Sequence, residues 1–148
     1  IEAAQLLKND WGVDSDVWSA TSFTELRRDA LEIERHNLLN PENQKKSFIQ
    51  EQITDQDSPI IASTDYMKVF PEQITNFLPN RFIALGTDGY GRSDSREALR
   101  SFFEVDRYYI VIAALKSLSE QGKVDIKKVS EAIKKYEIDS KKLNPSVS

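Results

Sequence analysis

Residues 81–97, RFIALGTDGYGRSDSRE, pass from a short apolar run through a glycine-rich turn into the start of a helix. The apolar run predicts a strand, because it is brief and ends where the glycines begin. The three glycines predict either positive φ angles or a close approach of neighbouring backbone. Asp94 is placed to cap the helix, and Glu97 can reach back to the Asp94 amide. The stretch therefore predicts a strand-loop-helix junction of an α/β domain.

The same glycine loop is a candidate binding site, since ligands of open α/β sheets lie at the C-terminal ends of strands. The residues of this candidate are Gly89, Gly91, Arg92 and Ser93. Amides at a helix N-terminus together with a guanidinium could hold an anion or contact a partner. Two aspartates in the loop would weaken that field, so ordinary turn and capping chemistry is the favoured interpretation. The glycine spacing matches neither a Walker loop nor the dinucleotide fingerprint.

Length and charge limit the possible functions. The chain has 148 residues, of which 39% are hydrophobic, and a net charge of -4 at pH 7. A chain of this length can bury one core, so we expect one compact domain. The acidic balance disfavours a nucleic-acid partner, whose phosphates attract clustered basic residues. No apolar run approaches the length of a membrane helix or a signal peptide, so we expect no membrane partner.

Reactive side chains are scarce. The chain contains no cysteine and a single histidine, His36. The lack of cysteine excludes disulfides and thiolate chemistry within the chain, and a cytoplasmic setting is the simplest interpretation. One histidine cannot form a two-histidine metal site, and no nucleophile motif surrounds it, so we interpret His36 as a surface or helix-end residue. We therefore predict no catalytic residue, no cofactor-binding residue and no metal ligand.

The first third of the chain predicts helix, strand and helix. Apolar residues at helical spacing run from Ile1 to Trp11, and the pattern opens without a cap, which predicts a preceding strand in a parent protein. Residues 16–21 predict a short strand, with Trp18 as a core residue. Ser22 then predicts the cap of a helix, because a glutamate follows three residues later.

The rest of the chain continues as alternating helices and strands. The pattern predicts a helix around 47–53, a strand over 59–63, a helix over 70–78, a helix from Asp106 to Gly122 and a last helix capped by Asp125. The helix after Asp106 contains residues of high strand propensity, but its length and its stop at glycine outweigh them. We place one domain over residues 1–139 and a loosely ordered tail over 140–148.

Four segments carry a more specific signal: SATSFTELRRD at 19–29, ERHNLLNP at 34–41, ASTDYMKVF at 62–70 and the stretch 86–106. Together they resemble the C-terminal domain of the homodimeric-type bacterial pyruvate dehydrogenase first component. Tyr90 to Ser93 is also similar to the Phe-Gly-x-Ser turn of transketolases, so another transketolase-like enzyme is the alternative.

The resemblance implies a three-layer αβα domain with a mixed, mostly parallel sheet whose first strand lies upstream of Ile1. In that family, thiamine diphosphate and magnesium are bound by the two other domains, and no position here matches their catalytic motifs. The implied partners are those domains, the second subunit of the homodimer and the lipoyl acetyltransferase core. We expect this domain to be structural and inactive alone. A module that binds a small anion or a regulatory metabolite is the competing hypothesis.

Overall fold

The computed structural model describes residues 1–147 as helices packed around two parallel strands. The helices are α1 (Glu2–Trp11), α2 (Phe23–Leu39), α3 (Phe48–Gln52), α4 (Val69–Glu72), α5 (Arg96–Phe102), α6 (Arg107–Glu120) and α7 (Ile126–Lys135), with a 3-10 turn at Thr75–Phe77. The strands are β1 (Ile60–Ser63) and β2 (Phe82–Leu85). Ser148, the last residue of the predicted tail, lies outside the described residues.

The sheet is covered by helices on both faces. β1 and β2 pair in parallel, with Ile60 opposite Phe82 and Ile61 opposite Ile83. Successive side chains of a strand point to opposite faces. Ile60 and Phe82 accordingly contact one hydrophobic cluster, whereas Ile61 contacts the other. This arrangement confirms the predicted α/β class, although residues 1–147 contain a two-stranded parallel sheet and not the larger mixed sheet we expected.

The first cluster joins α1, α6 and α7. Its centre is formed by Leu7, Val111, Leu115 and Ala132, and Leu115 is fully buried. α6 is the helix whose composition also suited a strand. Asp106 caps it by accepting bonds from the amides of Tyr108 and Tyr109 at 2.9 and 3.1 Å. The helix prediction is confirmed because the cap and the buried stripe agree.

The second cluster joins α2, α3 and the 3-10 turn through Ala30, Ile49, Ile74, Phe77 and Leu78. Both helices begin at a capping serine, of which Ser22 was predicted as a cap and Ser47 was not. The Ser22 hydroxyl accepts a bond from the Glu25 amide at 3.2 Å, and the Gln50 side chain accepts one from the Ser47 amide at 2.9 Å. These caps satisfy amides that the first helical turn leaves free.

The strand predicted over residues 16–21 is absent, and this prediction is wrong. Val17 and Trp18 are 58% and 62% exposed, so Trp18 is not a core residue. A strand needs a neighbour to accept and donate its backbone hydrogen bonds. Neither β1 nor β2 runs beside this segment. Its residues have high strand propensity, but their backbone has no neighbouring strand with which to form hydrogen bonds.

The helix predicted over residues 70–78 is broken into α4 and the 3-10 turn. Pro71 lies buried in the first turn of α4, where its missing amide hydrogen costs little. The Thr75 hydroxyl donates to the Glu72 carbonyl at 2.8 Å. A threonine hydroxyl that bonds a nearby carbonyl competes with the regular helix ladder. The chain therefore tightens into a 3-10 turn instead of continuing as an α-helix.

Candidate functional site

The loops that follow β1 and β2 are joined by backbone hydrogen bonds at the C-terminal edge of the sheet. The Thr87 amide donates to the Tyr66 carbonyl at 2.9 Å, and the Thr87 hydroxyl donates to the Asp65 carbonyl at 3.0 Å. The Lys68 amide donates to a carboxylate oxygen of Asp88 at 3.1 Å. The loops after β1 and β2 therefore form one rigid surface, which we call the ledge. It lies at the C-terminal edge of the sheet, where α/β folds bind their ligands.

Two of the three glycines in the second loop are required by their surroundings. A β-carbon on Gly86 would lie 2.7 Å from the Lys68 nitrogen and 2.7 Å from the Tyr66 oxygen. Gly89 has a φ of 104°, and a β-carbon there would lie 2.7 Å from the Pro145 oxygen. Gly91 has nothing within 4 Å of its β position. The predicted close approach and positive φ are therefore confirmed for Gly86 and Gly89 but not for Gly91.

The cap of α5 is Ser95, one residue after the predicted Asp94. The Ser95 hydroxyl accepts a bond from the Ala98 amide at 3.3 Å. Asp94 instead accepts a bond from the Ser95 amide at 2.7 Å. Both residue types cap helices well, and the chain uses the one that places its oxygen opposite the third helical amide. These bonds occupy two of the amides around the start of α5, those of Ser95 and Ala98.

The predicted loop residues are only partly brought together. Arg92 stacks its guanidinium on the Phe102 ring, 4.2 Å from the ring centroid. Arg92, Ser93 and Phe102 line a shallow groove of about 260 Å³ that is also lined by Asp94. Gly89 does not line this groove and faces the C-terminal tail instead. The guanidinium is held by an aromatic face, in a cation–π contact that leaves its edges free to meet a partner.

Charged side chains around the ledge are paired with one another. Arg100 binds both carboxylate oxygens of Asp65, at 3.1 and 3.0 Å, and Arg96 lies 3.6 Å from the same carboxylate. Lys142 lies 3.5 Å from Glu104 at the mouth of a second groove, of about 280 Å³. That groove is lined by Lys68, Leu85, Gly86, Phe103, Glu104, Lys142, Asn144 and Pro145. Paired charges of this kind hold neighbouring loops in place.

Tyr109 lies beside these pairs. Burial raises the pKa of its hydroxyl to about 12, and the carboxylates of Glu104, Asp106 and Asp139 add to the effect. The Lys142 ammonium lies 5.5 Å from its ring centroid. A phenol with such a pKa stays protonated at neutral pH, so Tyr109 is not a base.

An exposed apolar strip follows β1 and was missed by the sequence analysis. We define the edge strip as Tyr66, Met67, Val69 and Phe70, whose exposed fractions are 71%, 51%, 52% and 37%. The rings of Tyr66 and Phe70 contact edge to face at 5.8 Å. The signal was available in the sequence: four large apolar residues directly after a strand exceed what one short helical turn can bury. Clustered exposed apolar side chains are typical of interaction surfaces.

His36 has a structural role that agrees with its expected position. It lies in the last turn of α2, with its Nε2 atom 3.1 Å from the Asn43 carbonyl oxygen. Residues 1–147 contain no group of three acidic or histidine side chains placed to hold a metal ion. Within the same residues, no helix combines the length and the apolar character that crossing a bilayer requires.

Comparison with known proteins identifies a domain family and several relatives that this chain resembles. Residues 1–106 match the Transketolase-like TK C-terminal domain. The chain is 54% identical over 146 residues to the pyruvate dehydrogenase E1 component of Cupriavidus necator, covering 98% of this chain and 16% of the relative. For the same component of Pseudomonas aeruginosa, the identity is 53%, covering 97% of this chain and 17% of the relative. For that of Escherichia coli K12, the identity is 50%, with 99% and 17% covered.

These relatives align with nearly all of this chain, including α6 and α7, which lie beyond the 1–106 family match. In the other direction, the chain spans about one sixth of the length of the relatives it matches.

Proposed function

The chain belongs to the family of transketolase-like C-terminal domains, and from this premise we propose that it serves as the C-terminal domain of a pyruvate dehydrogenase E1 component. The observation that carries the proposal is identity of about half over nearly the whole chain with three E1 components. The parent enzyme decarboxylates pyruvate and passes the two-carbon unit to a lipoyl group of the acetyltransferase core. It works in the cytoplasm, within that multienzyme complex.

The parent enzyme uses thiamine diphosphate and magnesium, and the residues of this domain do not fit that pair. Magnesium bound to a diphosphate is usually held by one or two free carboxylates together with phosphate oxygens and waters. The Asp65 carboxylate at the sheet edge is bound by two arginines, and residues 1–147 contain no group of three or more acidic or histidine side chains placed to hold a metal ion. We therefore assign the cofactor and the reacting groups to other domains of the parent, and we derive no catalytic step from this one.

The role we propose for this domain is assembly. The edge strip offers exposed aromatic and aliphatic side chains on a ledge that hydrogen bonds and ion pairs keep rigid. Preformed apolar surfaces of this kind suit permanent contacts between domains or subunits. The partners are the other domains and the second subunit of the parent homodimer. The net charge of -4 argues against nucleic acid as an additional partner.

The loop of Gly89, Gly91, Arg92 and Ser93 is in this proposal a contact loop and not an anion site. The amides of Ser95 and Ala98 are already bonded to Asp94 and Ser95, and Arg92 is stacked on an aromatic ring. Titration of the chain with phosphate, followed by amide NMR, tests the alternative. Shifts in this loop that disappear in Arg92→Ala would restore the anion site.

The division of labour can be tested by comparing the full-length protein with this chain alone. Calorimetry with thiamine diphosphate and magnesium should show binding to the full-length protein and none to the chain. Pyruvate turnover should follow the same pattern. Tight cofactor binding by the isolated chain would contradict the proposal, and turnover by it would contradict it more strongly.

The assembly role needs a separate test in the full-length protein. Tyr66→Ser removes a ring from the edge strip and should weaken subunit association in dilution experiments followed by mass photometry. Tyr66→Phe keeps the ring and serves as the matched control. Equal association of the Tyr66→Ser variant and the unchanged protein would place the interface elsewhere.

A further inference from the structure

The C-terminal tail, which we predicted to be loosely ordered after residue 139, contacts both the glycine loop after β2 and the C-terminal end of α5. We call residues 142–146 the tail clasp. Lys142 contacts the C-terminal end of α5, and Pro145 contacts the glycine loop at Gly89. Pro145 is buried in this position. One short segment of chain therefore touches two separate sites: Lys142 contacts Phe102, 40 residues earlier, and Pro145 contacts Gly89 in the glycine loop.

Lys142 is distant from α5 in the sequence, but its side chain caps the C-terminal end of this helix. Its ammonium donates to the Ser101 carbonyl at 2.9 Å and to the Phe102 carbonyl at 2.6 Å. The last carbonyls of a helix have no partner within the helix, and they carry the negative end of its dipole. A cation placed there satisfies both needs with charge-assisted bonds.

The same ammonium stabilises an unusual turn. In the turn that follows α5, Glu104 has a φ of 62°, at a position where glycine is the common residue. The Glu104 amide donates to the Ser101 carbonyl at 3.3 Å, and the Val105 amide donates to the Arg100 carbonyl at 3.0 Å. Lys142 lies 3.5 Å from the Glu104 carboxylate. The left-handed conformation of a glutamate is unfavourable, and this ion pair offsets part of that cost.

Phe102 connects the tail clasp to the glycine loop. The Lys142 ammonium lies 5.3 Å from the centroid of the Phe102 ring, and the Arg92 guanidinium lies 4.2 Å from it. Two cations from different parts of the chain thus depend on the position of one ring. A shift of Lys142 would let this ring move, and Arg92 would lose its support.

The other end of the tail clasp fits the loop through Gly89. Asn144 shapes the tail by accepting bonds from the Ser146 amide and hydroxyl, at 2.9 and 2.8 Å. The Pro145 carbonyl then lies where a side chain at Gly89 would begin. This close contact is possible only with glycine, because the obstructing atoms belong to backbone.

We propose that the tail clasp sets the conformation of the glycine loop: with the clasp closed, residues 86–95 are held in one arrangement, and with the clasp released, they open. The clasp and the loop are therefore coupled in both directions, as linkage requires. A partner that takes up the tail would loosen the loop around Arg92. This inference goes beyond the proposed function and depends on contacts within residues 1–147 alone.

Hydrogen exchange read by mass spectrometry in the full-length protein tests the coupling. Lys142→Met keeps the aliphatic stem and removes the ammonium. We expect about fivefold faster amide exchange over residues 86–95 and 101–105, the factor implied by loss of one helix cap, with α1 and α7 unchanged. Lys141→Met is the matched control, since Lys141 is exposed and should leave the loop as it is.

The reverse experiment perturbs the loop and reads the tail. Gly89→Ala should push Pro145 away and speed exchange over residues 142–147, whereas Gly91→Ala, which meets no atom within 4 Å, should not. If Lys142→Met loosens the whole domain, the comparison of Gly89→Ala with Gly91→Ala still tests whether the loop and the tail clasp are coupled. Unchanged exchange of the tail in Gly89→Ala, or of the loop in a folded Lys142→Met variant, would overturn the proposal.

Discussion

The backbones of Gly86 and Lys68 are in close contact where the loops after β1 and β2 meet. A β-carbon on Gly86 would lie only 2.7 Å from the Lys68 nitrogen. The Tyr66 oxygen lies at the same distance from that position. Both obstructing atoms belong to backbone that is hydrogen-bonded to the opposite loop. The contact therefore fixes the spacing of the ledge that carries the edge strip.

Gly86→Ala should consequently destabilise the domain by about 2 kcal/mol, because one of the two loops must shift to admit the methyl group. Urea denaturation of the chain measures the change. Gly91→Ala is the control, since its β position is open and its φ is not positive. If the two variants unfold at the same urea concentration, the loops are less tightly joined than their geometry indicates.

Tyr136→Phe tests a polar bridge between α1 and the end of α7. The Tyr136 hydroxyl accepts a bond from the Trp11 indole at 2.8 Å and donates to Asp10 at 3.0 Å. Its removal leaves a partly buried indole N–H without a partner, so we expect a loss of about 1 to 2 kcal/mol in the free energy of unfolding. Tyr66→Phe, at a ring that is 71% exposed, should change that free energy little.

The same substitution should alter the titration of Asp10. Hydrogen bonds from Lys135 and then from the Tyr136 hydroxyl hold the pKa of this carboxyl below its ordinary value. A carboxyl with a lowered pKa stabilises the fold above its unfolded pKa, and that stability is lost as the pH falls through the folded value. In Tyr136→Phe, carboxyl NMR should show the Asp10 pKa moving back toward its ordinary value. An unchanged pKa would mean that Lys135 alone sets it.

Tyr109 makes a prediction at high pH. Its pKa is raised to about 12, chiefly by burial, against about 10 for a free tyrosine. The folded state therefore holds the Tyr109 proton more tightly than the unfolded state. The stability from this group is complete below pH about 10 and should be lost as the pH rises from about 10 to about 12. Tyr109→Phe should lose less stability over that range than the unchanged chain, in urea denaturation at a series of pH values.

Local signals in the sequence predicted most of the helices. The caps at Ser22, Asp106 and Asp125 and the stops at Gly12 and Gly122 depend on residues within one helical turn, and the structure confirms each of them. The cap of α5 was misplaced by one residue because Asp94 and Ser95 are both good capping residues, and only the geometry of the loop selects between them.

Non-local contacts account for what the sequence could not predict. The tail was predicted to be loosely ordered because no residue near Lys142 in the sequence indicates that its ammonium bonds to the carbonyls of Ser101 and Phe102. For the candidate site, the sequence located the glycine loop and its tight glycines. It did not show that Arg92 would stack on Phe102 or that the segment after β1 would remain exposed.

Trp18 provides the last prediction, because the expected strand around it lacks a neighbour. The chain contains two tryptophans, Trp11 and Trp18. Trp18 is 62% exposed, whereas Trp11 is partly buried and hydrogen-bonded to Tyr136. In the isolated chain, acrylamide should quench the fluorescence of a Trp11→Phe variant, which retains Trp18, several-fold more strongly than that of a Trp18→Phe variant. Similar quenching of the two variants would mean that Trp18 is covered.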